Sequence, residues 1–110
     1  MIRSLLAQFP AEKLSLDIAA TNVTTAAWVE IIAATTMSCD AIAVDNTSDA
    51  VLQVSIGAVG AEDNAILPFY FKACEESTML PCPIAKGKRI SVKAVNHNVT
   101  YGDIVINTFK

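Results

Sequence analysis

Hydrophobic and polar residues alternate strictly in the last third of the chain. Ile90, Val92 and Ala94 fall on one face of an extended segment, while Ser91 and Lys93 fall on the other. A second segment close to the C-terminus repeats this alternation. A period of two residues is typical of a strand that buries one face against a core. The closing part of the chain therefore predicts a β-sheet.

The same pattern, bounded by turn residues, recurs along the whole chain. It predicts strands at Leu14–Ala20, Trp28–Thr35, Asp40–Asp45, Val51–Ile56, Pro68–Ala73, Ser77–Leu80, Arg89–Val95 and Ile104–Phe109. Many short strands with turn signals between them indicate an all-β fold. We expect a β-sandwich or jelly roll of about eight short antiparallel strands.

A helix over Ala19–Thr36 is the main alternative, because alanine is frequent there and Trp28, Ile31 and Ile32 would lie near one face. The many threonine and valine residues of this stretch lose rotamer freedom in a helix. We therefore favour a strand, with a helical turn near Thr24–Ala27 left open.

Two short polar segments predict tight turns. Asp45–Asp49 carries side chains that bond their own backbone, so we expect it to close a hairpin. Lys86, Gly87 and Lys88 predict a second hairpin tip. The segment 57–64 predicts a longer loop.

Length and composition indicate a single domain that associates. The chain has 110 residues, of which 53% are hydrophobic and 17% charged. We expect a short N-terminal arm at residues 1–13 and one β-sandwich domain at residues 14–110. A small chain with so many apolar residues is expected to expose apolar surface, which predicts self-association as a dimer or trimer.

Targeting signals are not evident in the sequence. No window reaches the ~20 apolar residues of a membrane span, and the N-terminal apolar run is interrupted by Gln8 and Pro10. We therefore expect neither membrane insertion nor a signal peptide, and synthesis in a cytosol. The three cysteines then predict reduced, partly buried thiols.

Charge is segregated along the chain. Residues 14–71 contain no lysine or arginine, whereas five of the eight basic residues lie between Lys72 and Lys93. If the two segments occupy different faces, the molecule has an acidic face and a basic edge suited to ordered docking. A net charge of −3 and few aromatics near the basic residues argue against a nucleic-acid partner.

Residues that could carry catalysis are isolated. His97 is the only histidine and lies in a predicted turn without a nucleophile or carboxylate nearby. Glu75 and Glu76 are adjacent, so on a strand they point to opposite faces. The segment Asp45–Asp49 lacks the glycine and distal glutamate of a calcium loop. We expect a protein that is not an enzyme and needs no cofactor or metal.

Candidate docking residues fall in the basic turn and in the N-terminal region. Lys86, Lys88 and Arg89 form the most basic cluster, which either is a solvated turn or binds an acidic protein surface. Trp28 is predicted to be a core or interface anchor. Arg3 and Phe9 of the N-terminal arm are two further interface candidates.

Several segments resemble small virion proteins of tailed bacteriophages. They are Trp28–Ile31, Ser38–Asn46, Leu52–Gly57, Ile84–Lys93 and Gly102–Ile106. They are similar to the jelly-roll capsid decoration (cement or staple) proteins of epsilon-fifteen-like phages. The resemblance implies a non-enzymatic protein on the capsid exterior that binds the major capsid protein and bridges coat subunits. For such a protein we expect the arm and an exposed sheet edge to dock on the coat subunits. A tail or head-fibre adaptor and a carbohydrate-binding jelly-roll module are the alternatives.

Overall fold

The computed structural model describes residues 9–17, 20–74 and 79–110. These residues form eight strands and one 3-10 helix, η1, at Glu62–Asn64. The strands are β1 Pro10–Asp17, β2 Val29–Ile32, β3 Cys39–Asn46, β4 Leu52–Ser55, β5 Ile66–Phe71, β6 Met79–Ile84, β7 Ile90–Ala94 and β8 Asp103–Phe109. Each overlaps one of the predicted strands, so the all-β prediction is confirmed. No α-helix occurs in the described part of Ala19–Thr36.

The strands form two antiparallel four-stranded sheets packed as a jelly roll. The first sheet has the order β1-β8-β3-β6 and the second β2-β7-β4-β5. The chain changes sheet at every connection except the one between β4 and β5. This alternation between two sheets is the jelly-roll arrangement of paired Greek keys.

Neither of the two predicted hairpin turns joins neighbouring strands of one sheet, so both hairpin predictions are wrong. The turn at Asp45–Asp49 leads from β3 in the first sheet to β4 in the second. The turn at Lys86–Lys88 likewise joins β6 of the first sheet to β7 of the second. Turn residues specify that the chain reverses, but the sheet that the next strand joins depends on where both apolar faces are buried.

The core lies between the sheets, where the predicted apolar face of β7 is buried, while Ser91 on its other face is buried as well. Ile90, Val92 and Ala94 of β7 and Ile104 and Ile106 of β8 are all almost completely buried. Across the second sheet, Val54 of β4 pairs with Val92, so its side chain faces the same core. Truncating a buried isoleucine to alanine in such a core costs about 2–5 kcal/mol.

A buried amide and a glycine fix the loops that join the two sheets. The Nδ2 of Asn46 donates to the carbonyls of Ala50 at 2.8 Å and Phe71 at 2.9 Å, and its Oδ1 accepts from Ser48 N at 3.0 Å. Gly102, with φ +106°, packs against this turn so closely that an added Cβ would lie 2.4 Å from the Ser48 Cα. Only glycine fits this contact.

All four prolines of the chain lie on edge strands. Pro10 is on β1, Pro68 on β5, and Pro81 and Pro83 on β6. Proline has no N–H to offer a neighbouring strand, so it interrupts the donor row of an exposed edge. The remaining edge strand, β2, has four residues and an irregular register with β7.

The domain begins earlier than predicted. Residues 10–13, assigned to the arm, belong to β1, which pairs with β8 from Pro10↔Phe109 onward. Phe9 continues this pairing, because its N–H donates to the Lys110 carbonyl at 3.2 Å and its carbonyl accepts from Lys110 at 2.8 Å. Pro10 obscured the start of β1 in the sequence, although a proline is tolerated as the first residue of an edge strand.

Candidate functional site

The predicted basic turn lies at one end of the sandwich, here called the lysine end. It consists of the loops 33–38, 56–65 and 85–89, which connect β2 to β3, β4 to β5 and β6 to β7. The segment Ala85–Arg89 is called the lysine loop. Lys86 and Lys88 are exposed within it, as the sequence predicts. The lysine end therefore presents two cations to solvent.

Buried Thr35 fixes the backbone of the lysine loop. Its N–H donates to the Lys88 carbonyl at 2.8 Å, and its carbonyl accepts from Gly87 N at 2.8 Å. Its Oγ1 accepts from Lys88 N at 3.1 Å and donates to the Ala85 carbonyl at 3.0 Å. Gly87 has φ +87°, the left-handed region that favours glycine. The two lysines thus project from a backbone held by four hydrogen bonds.

Arg89 has a different role from the two lysines. Its side chain is only 13% exposed, and its Nε donates to Glu30 Oε1 at 2.9 Å. Its Nη1 donates to Glu62 Oε2 at 2.7 Å and to the Gly57 carbonyl at 3.4 Å. Arg89 therefore joins β2, β7 and the loop 56–65. Within the predicted basic cluster, Arg89 is thus already paired with two carboxylates.

Glu62 is held in its ionised form by these contacts. A hydrogen bond from its own backbone N–H, followed by those from Arg89 and Gly60 N, keeps the pKa of Glu62 below its ordinary value of 4.5, against the opposing effect of burial. Glu30 and Glu62 belong to the acidic segment of the chain, yet both contact an arginine of the basic segment. The acidic and basic segments therefore meet at this point and do not occupy separate faces here.

Trp28 lies on the outer face of the second sheet and not in the core. Its Nε1 donates to Asp63 Oδ1 at 3.0 Å, and the Lys93 Nζ lies 5.6 Å from its ring centroid. Lys93 is paired with Gln53 of β4, which is paired in turn with Tyr70 of β5. The outer face thus has a row of four side chains with an aromatic ring at each end.

An apolar cleft of about 470 Å³ opens at the lysine end. Ala33, Ile56, Ala58 and Val59 form its apolar part, and Glu30, Gly87, Lys88 and Arg89 complete its lining. Val59 is 78% exposed. No sequence pattern indicated this cleft, because its walls come from three loops that meet only in the folded chain.

The remaining candidates are dispersed. Phe9 is 73% exposed beside the C-terminal residue, and Arg3 lies outside the described residues. Glu75 and Glu76 also lie outside them. The structure brings together Lys86, Lys88 and Arg89, whereas Trp28 belongs to the outer sheet face.

Two thiols and one carboxylate with shifted pKa values have structural explanations. Cys39 and Cys82 are buried free thiols, and burial raises the pKa of both, that of Cys82 to about 11. The Asp49 carboxylate accepts hydrogen bonds from the N–H and hydroxyl of Thr100, which lower the pKa of Asp49. Within residues 9–17, 20–74 and 79–110, no three His, Cys, Asp or Glu side chains are grouped to hold a metal ion.

No protein-family model, curated protein sequence or solved structure matches the chain. In the described part of the chain, no helix has the length and apolar character to cross a lipid bilayer. A functional assignment therefore rests on the geometry of the lysine end and of the outer sheet face.

Proposed function

We propose that the protein is a non-enzymatic structural component of a bacteriophage virion that decorates the outer surface of the capsid. It binds the major capsid protein through the lysine end and bridges neighbouring coat subunits. The observation that supports this proposal best is the pair of exposed lysines on a loop fixed by Thr35. A binding surface that is ordered before contact loses little conformational entropy on docking.

The charges of the lysine end indicate the chemistry of the coat surface. Lys86 and Lys88 are exposed, while Arg89 is paired with two carboxylates. Exposed lysines attract an acidic surface and accelerate association in a salt-dependent manner. The coat surface contacted by the lysine end is therefore acidic. The proposal includes a dimer or trimer of the protein on the virion and no nucleic-acid partner.

The proposal is tested by co-sedimentation with empty shells assembled from the coat protein encoded in the same genome. Wild-type protein is expected to pellet with shells in a saturable manner that weakens as salt is raised. The double variant Lys86→Ser/Lys88→Ser should bind at least about tenfold more weakly. Its matched control is Lys13→Ser/Lys72→Ser, which removes the same charge from exposed positions outside the lysine loop. Shells that recover no wild-type protein at micromolar concentration would reject the function.

Carbohydrate binding is the second candidate, supported by the row on the outer face of the second sheet. Trp28 and Tyr70 end this row, with Lys93 and Gln53 between them. Tyr70 is largely exposed. Aromatic rings beside polar side chains suit a ligand with one apolar and one polar face.

This second candidate is tested on an array of bacterial O-antigen and capsular oligosaccharides. Saturable binding that is lost in Tyr70→Ala and kept in Tyr101→Ala would favour it over capsid decoration. Tyr101 is a suitable control because it is another exposed tyrosine, located in the loop between β7 and β8.

A further inference from the structure

We propose that the apolar cleft at the lysine end binds an extended segment of the coat protein that carries an aliphatic side chain next to a carboxylate. The aliphatic side chain enters between Val59 and Ala33, and the carboxylate pairs with Lys88. This inference rests on the proposed function, because the coat protein is the partner. It adds to the proposed function the kind of coat-protein segment that is recognised and the apolar contact that anchors this segment.

The shape of the cleft fits an aliphatic anchor. Its volume of about 470 Å³ is within the range of small-ligand pockets and exceeds that of one side chain. Ala33 and Ala58 are short and leave this space open, while Ile56 and Val59 line it with branched aliphatic groups. Val59 is the most exposed large hydrophobic residue of the described chain. Covering it removes apolar surface from water, which favours binding.

The walls of the cleft are fixed before a partner arrives. On one side, Arg89 bonds the Gly57 carbonyl and Glu62. The Oγ of Ser55 donates to the Glu62 carbonyl at 2.7 Å and accepts from Gly57 N at 3.1 Å. An added Cβ on Gly57 would lie 2.8 Å from the Ala61 carbonyl oxygen, so this loop is tightly folded. On the other side, Thr35 fixes the backbone of Lys88.

Lys88 is the cation at the cleft that can receive a carboxylate of the partner. Glu30, which also lines the cleft, and Glu62 both bond to the single guanidinium of Arg89. Lys88 lies on the border of the cleft and forms no ion pair with any residue of the described ranges. Lys86 adds a second positive charge in the same loop. A carboxylate beside the aliphatic anchor therefore complements the cation that remains available.

Shell co-sedimentation with two valine variants tests the inference. Val59→Asp places a charge in the cleft and should weaken binding to shells at least about tenfold. Val95→Asp is the matched control, since Val95 is 40% exposed just after β7, at the end of that strand away from the lysine loop. It should bind within about twofold of wild type. Val59→Ser, which removes the aliphatic group without adding charge, should also weaken binding.

A charge reversal tests the carboxylate. Lys88→Glu should weaken binding more than Lys88→Ser, because it replaces attraction with repulsion. Thermal unfolding of every variant checks that the fold is kept.

The outcomes separate the two proposals. If wild type binds shells and Val59→Asp binds them equally well, the cleft inference is wrong and the proposed function stands. If Val59→Asp abolishes self-association in sedimentation velocity but leaves shell binding unchanged, the occupant is a second copy and the inference is also wrong. If wild type does not bind shells at all, the proposed function fails and the inference fails with it.

Discussion

Arg89, the residue before β7, donates from its Nη1 to Glu62 Oε2 in η1 at 2.7 Å. This contact holds the loop 56–65 against the second sheet, and Glu30 binds the same guanidinium from β2. Both walls of the apolar cleft depend on it, because Arg89 also ends the lysine loop. The stability of the fold and the shape of the cleft are therefore coupled through one side chain.

Replacing Arg89 with alanine should lower the free energy of unfolding by about 2 kcal/mol, because Glu62 loses a charged donor while remaining largely buried. Urea denaturation measures this difference. Lys88→Ala is the control and should change stability by less than about 0.5 kcal/mol, since Lys88 is exposed. A loss in Lys88→Ala as large as in Arg89→Ala would contradict the structural role of the guanidinium.

The stability of the protein should fall as the pH is lowered below 4.5, the ordinary pKa of Glu62. The pKa of Glu62 is lower in the folded chain, so the unfolded chain binds its proton first and acid favours unfolding. Above that pH the contribution is fully present. Urea titrations between neutral pH and acid should show a shallower loss for Glu62→Gln than for wild type. Identical slopes would show that Glu62 is not linked to folding.

Gly102→Ala should destabilise the protein by about 3 kcal/mol or more, because the added Cβ would overlap Ser48 in a backbone region that alanine avoids. Gly60→Ala is the matched control. Gly60 also has a positive φ, of +84°, but an added Cβ would meet no atom within 4 Å. It should therefore cost only about 1 kcal/mol. Thermal unfolding compares the stabilities of the two variants. Equal losses of stability would mean that backbone strain, and not the close contact with Ser48, causes the destabilisation.

Thr35→Val should destabilise the lysine end by about 2 kcal/mol, because Ala85 O and Lys88 N lose their hydroxyl partner while the volume is kept. Amide hydrogen exchange should increase in residues 85–89. Thr36→Val is the control, since the hydroxyl of Thr36 bonds to Glu12 at an exposed position. Unchanged exchange in Thr35→Val would exclude Thr35 as the residue that fixes the loop.

Only Cys74 should react with iodoacetamide in the native protein at pH 8. Cys74 is exposed, whereas Cys39 and Cys82 are buried and their pKa values are raised, that of Cys82 to about 11. A buried thiol that stays protonated is a poor nucleophile. Intact mass spectrometry should show one added group in the native protein and three in urea. Rapid labelling of more than one thiol would indicate an opened core.

The strands were predictable because alternation is a local property. Ile90, Val92 and Ala94 belong to one face in any antiparallel sheet, and the structure buries all three. The partner of each strand was not predictable, since the turns at Asp45–Asp49 and Lys86–Lys88 contain no information on which sheet follows. Sheet choice is settled by the joint burial of two apolar faces.

The candidate site was predictable only in part, for the same reason. Lys86 and Lys88 are exposed in a turn, as a glycine between two lysines indicates. The pairing of Arg89 with Glu30 and Glu62 joins residues 59 and 27 positions apart. The apolar cleft likewise combines three separate loops. Contacts of this kind have no local pattern in the sequence.

The prolines on β1, β5 and β6 have a consequence for stoichiometry. These prolines reduce the number of free backbone donors along the sheet edges, so one copy is a poor template for the addition of another by strand pairing. Growth by strand addition into fibres or multilayers is thereby suppressed. Under the proposed function, the number of coat sites would then set the number of copies on a shell, and binding should saturate at that number even when the protein is in large excess.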